Sequence, residues 1–191
     1  MTRKPLNLVT DEVRGATDEE LVVAMQLGDR RAAGEFFARH GQRCARMIGR
    51  ILGPVDGVED VLQDVFVDVL RDVRNLREPK AVGGWLNRIT VRRCYRELRG
   101  QRRRRARLEK YRVMSETRGS GPEGPELRVI YRALDRFPRD ARVPWILHRI
   151  DGMSIDETAE ACGVSASTVK RRIRRVNERL SKHYATLGGE A

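Results

Sequence analysis

The stretch from Ser165 to Lys182 places two chemically different stripes along one predicted helix. Val169, Ile173, Val176 and Leu180 recur at spacings of three and four, so they share one apolar face. The second stripe is basic, with Lys170, Arg171, Arg174 and Arg175. Because arginine can pair bidentately with guanine or phosphate, and lysine suits phosphate, this stripe predicts contact with DNA. The side chains that would make this contact are Ser165, Ser167, Thr168, Lys170, Arg171, Arg174 and Arg175.

A second helix and a tight turn are predicted just before this stretch. Ser154 and Glu157 have the spacing of a capping box, which begins a helix. Gly163 lies where a left-handed residue would end that helix. Two helices around a tight turn predict a helix-turn-helix, whose second helix enters the major groove. The alternative is a solvated basic helix with no role at DNA, but the turn and the two-sided pattern together favour DNA binding.

Four consecutive arginines occupy positions 102–105, at the end of another predicted helix. Such a run can contact phosphates, act as a localisation-type patch or form part of a disordered tether. Because these arginines extend a helix from a packed region, we favour phosphate contact.

Charge is distributed unevenly along the chain, which predicts separate surfaces for different partners. The 191 residues include 39 Lys and Arg against 27 Asp and Glu, a formal net charge of +12. Residues 99–112 hold eight basic side chains against one acidic, and residues 165–182 hold seven against one. Residues 56–72 hold six acidic side chains against one basic. The basic windows indicate a polyanionic partner, whereas the acidic segment predicts a different one.

Several classes of protein are disfavoured by the same sequence. The longest apolar run, residues 143–147, is far shorter than the roughly 20 residues of a membrane-spanning helix. Cys44, Cys94 and Cys162 are an odd number without CxxC spacing, which fits neither a disulfide framework nor a zinc site. We therefore expect a cytoplasmic protein with no secretory signal, no membrane insertion, no metal and no cofactor.

The periodicity is helical almost throughout and predicts an all-α fold of two small domains joined by a flexible linker. Helices are expected from Thr17 or Asp18, over 30–52, over 57–75 and from near Trp85. Four shorter helices are expected near 127–136, 139–151, 154–162 and 166–183. The predicted parts are a tail over 1–17, a first domain over 18–100, a basic and flexible linker over 101–126, a helix-turn-helix domain over 127–184 and a tail over 185–191.

Asp60, Asp64, Asp68 and Asp72 are spaced by four and should line one face of the third helix. The first three could be metal ligands of a nuclease. However, this spacing separates them by roughly 6 Å per step along the helix, which suits a surface stripe better than a convergent site.

Two blocks of the sequence resemble bacterial RNA polymerase sigma factors of the sigma-70 family, in its extracytoplasmic-function (ECF) group. The first block includes VEDVLQDVF at 58–66 and GWLNRI at 84–89, and is similar to region 2 of that family. The second includes GMSIDETA at 152–159, CGVS at 162–165 and TVKRR at 168–172, and is similar to region 4.

The resemblance implies roles for residues of the first block. In the family, the matching helix docks on the coiled coil of the polymerase β′ subunit, and the matching residues here are Asp60, Gln63, Asp64 and Phe66. The loop over 75–80 would capture a flipped base of the minus-ten element, although it lacks the aromatic-Asp-Pro pattern common in the family. The residues expected to contact minus-ten DNA are Asn75, Arg77, Lys80, Asn87, Arg88, Arg92, Arg93 and Arg96.

The resemblance therefore implies a sigma factor that binds core RNA polymerase and promoter DNA, helps to melt the minus-ten element and catalyses no reaction. Its helix-turn-helix would recognise the minus-thirty-five element. An anti-sigma factor is a further partner expected from the family. The alternative is a stand-alone helix-turn-helix regulator that binds duplex DNA as a dimer.

Overall fold

The computed structural model describes residues 15–53, 57–109, 130–131, 133–134 and 136–187, and over 102–109 and 183–187 it describes the backbone. Every regular element in those ranges is helical, which confirms the all-α prediction. Residues 1–14 of the predicted tail over 1–17 and most of the predicted linker lie outside the described residues. The helices are α1 (Asp18–Gln26), α2 (Arg30–Leu52), α3 (Val58–Asp72), α4 (Val82–Glu109), α5 (Arg139–Arg149), α6 (Ile155–Cys162) and α7 (Ala166–Leu187).

The first two helices begin where local side chains satisfy their free N–H groups. Thr17 accepts a hydrogen bond from the backbone N–H of Glu20, whose carboxylate accepts from the N–H of Thr17. Asp29 accepts from the N–H groups of the first turn of α2. Gly53, at φ 80°, follows the last residue of that helix. The predicted start of α1 and the predicted bounds of α2 are confirmed.

Helix α4 is longer in both directions than the sequence suggested. It begins at Val82, directly after the short 3₁₀ turn Pro79–Ala81, and continues to Glu109. The predicted domain boundary at residue 100 therefore falls inside a helix, and the backbone of the four arginines at 102–105 is helical. Residues 101–109 contain only Gln, Arg, Ala, Leu and Glu, which are good helix formers.

The core of the first domain lies among α1 to α4. Phe36, Ile48 and Ile51 of α2 are fully buried, as are Val65 of α3 and Leu86 of α4. The apolar stripes of these helices meet in one cluster, which orients the outer faces of α3 and α4.

The two domains pack directly against each other. A single apolar cluster contains Leu52 of α2 together with Tyr131, Leu134 and Leu147 of the second domain. Buried Arg142 of α5 donates hydrogen bonds to the carbonyl oxygens of the last two residues of α2, at 2.6 and 3.1 Å. A residue of the second domain thus caps a helix of the first.

Two further pairs join the domains through polar atoms. Asp151, two residues after the end of α5, forms an ion pair with Arg50 of α2. Burial raises the pKa of Asp151, while the neighbouring guanidinium opposes that rise. Burial raises the pKa of the Cys162 thiol of α6, and the neighbouring hydroxyl of Tyr95 on α4 opposes that rise. None of the helices in the described part of the chain has the length and apolar character needed to cross a membrane.

Candidate nucleic-acid and polymerase interfaces

The predicted helix-turn-helix is formed by α6 and α7. Ser154 Oγ accepts from the Glu157 N–H at 3.1 Å, and Glu157 Oε2 accepts from the Ser154 N–H at 2.8 Å. The hydrogen bonds that the Glu157 carboxylate accepts from Ser154, first among them the one from its backbone N–H, lower the pKa of Glu157. Gly163 follows α6 in the left-handed conformation, at φ 66° and ψ 38°. The capping box and the glycine turn are both confirmed.

The two stripes of α7 face opposite sides. Val169, Ile173, Val176 and Leu180 are all buried. The rotation of the helix is fixed by Trp145 of α5, whose Nε1 donates to Asn177 Oδ1 at 2.7 Å. The basic side chains on the other stripe are exposed, and they are Lys170, Arg171, Arg174 and Arg175. This face is free to enter a DNA groove.

Three hydroxyl groups are grouped at the N-terminal end of α7. Ser165 Oγ accepts from the Thr168 N–H at 3.3 Å, which caps the helix. The same oxygen lies 3.0 Å from Ser167 Oγ and 2.9 Å from Thr168 Oγ1. These polar groups therefore lie where a recognition helix meets bases and phosphates.

The predicted minus-ten loop is anchored on its inner side and exposed on its outer side. Gln26 Nε2 of α1 donates to the carbonyl oxygens of Val73 and Leu76, at 3.0 and 2.8 Å. The side chains expected to contact DNA here are exposed, and they are Asn75, Arg77 and Lys80.

The predicted minus-ten residues of α4 divide into two groups. Arg88, Arg92 and Arg96 are exposed, and Arg96 also lies 3.6 Å from Asp68 of α3. Asn87 is only 9% exposed, and its Oδ1 accepts from Arg43 at 2.7 Å. Arg93 pairs with carboxylates of α3, as described next. Asn87 and Arg93 lie beside the buried stripe of α4. They therefore contact polar groups of the chain, whereas the sequence suggested that both side chains face solvent.

The four aspartates of α3 do not form one exposed face. Asp68 is only 4% exposed, and Arg93 donates to it at 2.6 Å. Arg93 also donates to exposed Asp64 at 3.0 Å. The expected single acidic stripe is wrong for Asp68, because the fourfold spacing drifts around the helix and brings this residue under α4.

The predicted polymerase-binding residues lie on the outer half of α3. Asp60 and Gln63 are exposed. Phe66 is half-buried, with its ring centroid 4.2 Å from that of Phe37. Two exposed apolar residues, Val67 at 58% and Leu70 at 49%, continue the same line.

Positions 60, 63, 67 and 70 repeat at spacings of three and four, which makes them one solvent-facing stripe that is apolar at its C-terminal end. Val67 and Leu70 are not among the predicted polymerase-binding residues, because both fall outside the apolar stripe that faces the core. The three- and four-residue spacing of positions 60, 63, 67 and 70 is the sequence signal that indicates this outer stripe. Among the described residues, no group of three His, Cys, Asp or Glu side chains could hold a metal ion.

Comparison with known proteins identifies both halves of this arrangement. The family model described as Sigma-70 region 2 matches residues 36–104, and that described as Sigma-70, region 4 matches residues 127–180. The ECF RNA polymerase sigma factor SigM of Mycobacterium tuberculosis is 32% identical over 169 residues, which cover 87% of this chain and 84% of that protein. The chain belongs to the ECF group of sigma-70 RNA polymerase sigma factors. The ECF RNA polymerase sigma-E factor of Escherichia coli is 30% identical over 184 residues, covering 90% of this chain and 96% of that protein.

Solved structures agree with this assignment. CnrH, in complex with the cytosolic domain of CnrY, is 28% identical, with a TM-score of 0.64 and coverage of 91% of this sigma factor and 99% of that chain. The sigma factor RpoE of Bartonella quintana, in complex with the anti-sigma factor NepR, shares the fold at 22% identity and a TM-score of 0.61, with coverage of 78% and 95%.

Membership of the ECF group gives the protein its function. This sigma factor binds core RNA polymerase and directs transcription initiation at promoters. Sigma factors are initiation factors that act without catalysing a reaction, so neither the nuclease alternative nor a stand-alone regulator describes the family to which it belongs.

Proposed function

We propose that the sigma factor divides promoter recognition between its two domains. The exposed basic face of α7 reads duplex DNA at the minus-thirty-five element. The 75–80 loop and the outer face of α4 bind the minus-ten element and help to melt it. The protein acts in the cytoplasm and catalyses no reaction of its own.

The observation that carries this proposal is the two-sided geometry of α7. Its apolar side chains are buried, and its basic side chains are exposed on the opposite stripe, beginning within a turn or two of the Ser165 cap. In a helix-turn-helix, this end of the recognition helix approaches the base edges of the major groove. Arginine there can read guanine, and each good bidentate pair discriminates against the wrong base.

The stripe of α3 is the proposed docking surface for the coiled coil of the polymerase β′ subunit. Asp60 and Gln63 supply polar contacts, and Val67 and Leu70 add exposed apolar surface. Asp64 is fixed by Arg93 and presents its carboxylate beside this stripe. A partly apolar, partly acidic helix face fits a protein partner better than DNA.

An anti-sigma factor is a further proposed partner. Both structural neighbours were solved in complex with another protein, CnrY for CnrH and the anti-sigma factor NepR for RpoE. The similarity of fold over most of this chain supports a partner of the same kind here.

Run-off transcription with core polymerase tests the proposed function. The template carries the upstream region of the gene that encodes this sigma factor, and reactions without sigma factor are the control. We expect a discrete transcript that depends on the sigma factor. Tight, sequence-specific duplex binding by the chain alone, with no transcript from any template, would instead identify a stand-alone regulator.

A further inference from the structure

Glu160 of α6 occupies a corner of the first domain that belongs to the proposed minus-ten surface. Its Oε1 accepts from Arg88 Nη2 at 2.8 Å, although the two residues are 72 positions apart. The carboxylate also lies over Gly84, in the first turn of α4. A Cβ built on Gly84 would be 3.1 and 3.2 Å from the two carboxylate oxygens, so glycine permits this close approach.

The surroundings of this carboxylate suit a phosphate group. A guanidinium binds carboxylate and phosphate oxygens with the same hydrogen-bonding geometry. Gly84 lies in the first turn of α4, where the helix dipole favours a negative charge. Gly84 leaves room for an anion to approach the backbone, and Glu160 already places one there. Gly84 and Arg88 therefore form a corner that can bind an anion, and the carboxylate of Glu160 occupies it.

We propose that Gly84 and Arg88 form a binding site for a backbone phosphate of the minus-ten strand, and that Glu160 occupies this site while the two domains are packed together. The inference rests on the proposed function of α4. Glu160 is an internal competitor of DNA, and the strand must displace it to reach Arg88.

The strength of the contact fits displacement by DNA. Arg88 and Glu160 are each about half exposed, at 53% and 48% of their side-chain area. Exposed ion pairs contribute little to stability and are screened by salt. The interface around it is held by stronger contacts, because Arg142 is buried on the carbonyl groups at the end of α2 and Asp151 is buried beside Arg50. Glu160 is thus held near Arg88 by the packing of α6 without being bound tightly.

The test measures binding of a single-stranded minus-ten oligonucleotide to the full-length chain without polymerase. We compare the unmodified protein with Glu160→Gln, which keeps the shape of the side chain and removes its charge. Asp156→Asn is the matched control, because Asp156 is an exposed carboxylate on the same helix and its loss changes the net charge equally. We expect Glu160→Gln to bind roughly fivefold more tightly than the Asp156→Asn control at low salt, the effect of removing one exposed ion pair.

A second measurement locates the phosphate. In a series of oligonucleotides, each carries one neutral methylphosphonate at a different position. We expect the gain in affinity from Glu160→Gln to disappear for one of these oligonucleotides, the one whose modified position replaces the bound phosphate. Equal affinity of Glu160→Gln and Asp156→Asn, or a gain that no single phosphate removes, would overturn the proposal. Run-off transcription by the unmodified protein distinguishes a failure of the proposed role of Glu160 from a failure of the proposed function. A normal transcript together with equal affinities of the two variants would reject the role of Glu160 and leave the proposed function standing.

Discussion

Arg93 of α4 reaches the buried carboxylate of Asp68 on α3, with its Nη2 2.6 Å from Oδ2. The contact joins the helix proposed to bind polymerase to the helix proposed to bind minus-ten DNA. Arg93 holds Asp64 at the same time, 3.0 Å away. Arg93 therefore links two carboxylates of α3 to α4, and Arg96, whose guanidinium lies 3.6 Å from Asp68, adds a second polar contact between the same helices.

We expect Asp68→Asn to lower the free energy of unfolding by about 1–3 kcal/mol, because a neutral amide replaces the buried carboxylate that accepts from Arg93. Urea unfolding of the full-length chain measures this loss. Asp60→Asn is the control, since Asp60 is exposed on the same helix, and it should change stability by less than about 0.5 kcal/mol. Equal effects of the two substitutions would show that the Arg93 contact contributes nothing.

Substitution of the basic face of α7 should separate promoter binding from polymerase binding. Lys170→Ala or Arg175→Ala should reduce run-off transcription at least fivefold, since a contact to a base is worth about 1–3 kcal/mol. Binding to core polymerase should be unchanged in a pull-down assay. Arg149→Ala removes an exposed charge from α5 instead and should transcribe normally. Loss of polymerase binding in the α7 variants would mean that the two domains are assigned wrongly.

The apolar end of the α3 stripe should matter for polymerase binding alone. Val67→Asp or Leu70→Asp should weaken binding to core polymerase by tenfold or more, because each places an uncompensated charge in an apolar contact. The melting temperature should change little, since both side chains are about half exposed or more in the free protein. Leu27→Asp, at a residue that is 74% exposed on another part of the first domain, is the control. Unchanged affinity in both α3 variants would place the docking surface elsewhere.

The capping box of α6 predicts a pH dependence. Hydrogen bonds from Ser154 lower the pKa of Glu157 below its ordinary value of 4.5. A carboxyl group whose pKa is lower in the folded state stabilises the fold above its unfolded pKa, and this contribution is lost as the pH falls through the folded pKa. We therefore expect Glu157→Gln to destabilise the protein at pH 7 and to match the unmodified protein at pH values below the folded pKa. Urea unfolding across this range would contradict the prediction if the difference persisted in acid.

Two glycines should respond in opposite directions to alanine. Gly163→Ala should cost about 1–2 kcal/mol, because a side chain is strained at φ 66°. Gly34→Ala should stabilise the protein by about 0.5–1 kcal/mol, since Gly34 lies inside α2 with nothing within 4 Å of a new Cβ. Thermal unfolding measures both. A stabilising Gly163→Ala would mean that the turn does not require the left-handed conformation.

The helix-turn-helix could be predicted from the sequence in detail because its determinants are local. Ser154, Glu157 and Gly163 lie within ten residues of one another, and each acts on the helix it begins or ends. The burial of the apolar stripe of α7 follows from its spacing in the same way. The sequence predicts a start of α4 near Trp85, three residues after its start at Val82, because the short turn Pro79–Ala81 has no apolar period of its own.

The contacts between distant residues could not be predicted. Arg93 and Asp68 are 25 positions apart, and Arg50 and Asp151 are 101 apart. An arginine at the edge of an apolar stripe has the same sequence pattern whether it faces solvent, DNA or a carboxylate. The sequence therefore predicts DNA contact for Asn87 and Arg93, whereas the packed helices place them against Arg43 and Asp68.

The apolar cluster shared by the two domains makes their separation resemble a small unfolding reaction. Moving Leu52 away from Tyr131 and Leu134 would expose apolar surface to water and raise the heat capacity. The free energy of separation is then a curved function of temperature, with a maximum at an intermediate temperature. The packed arrangement is most populated there, and both cooling and heating shift the population toward separated domains.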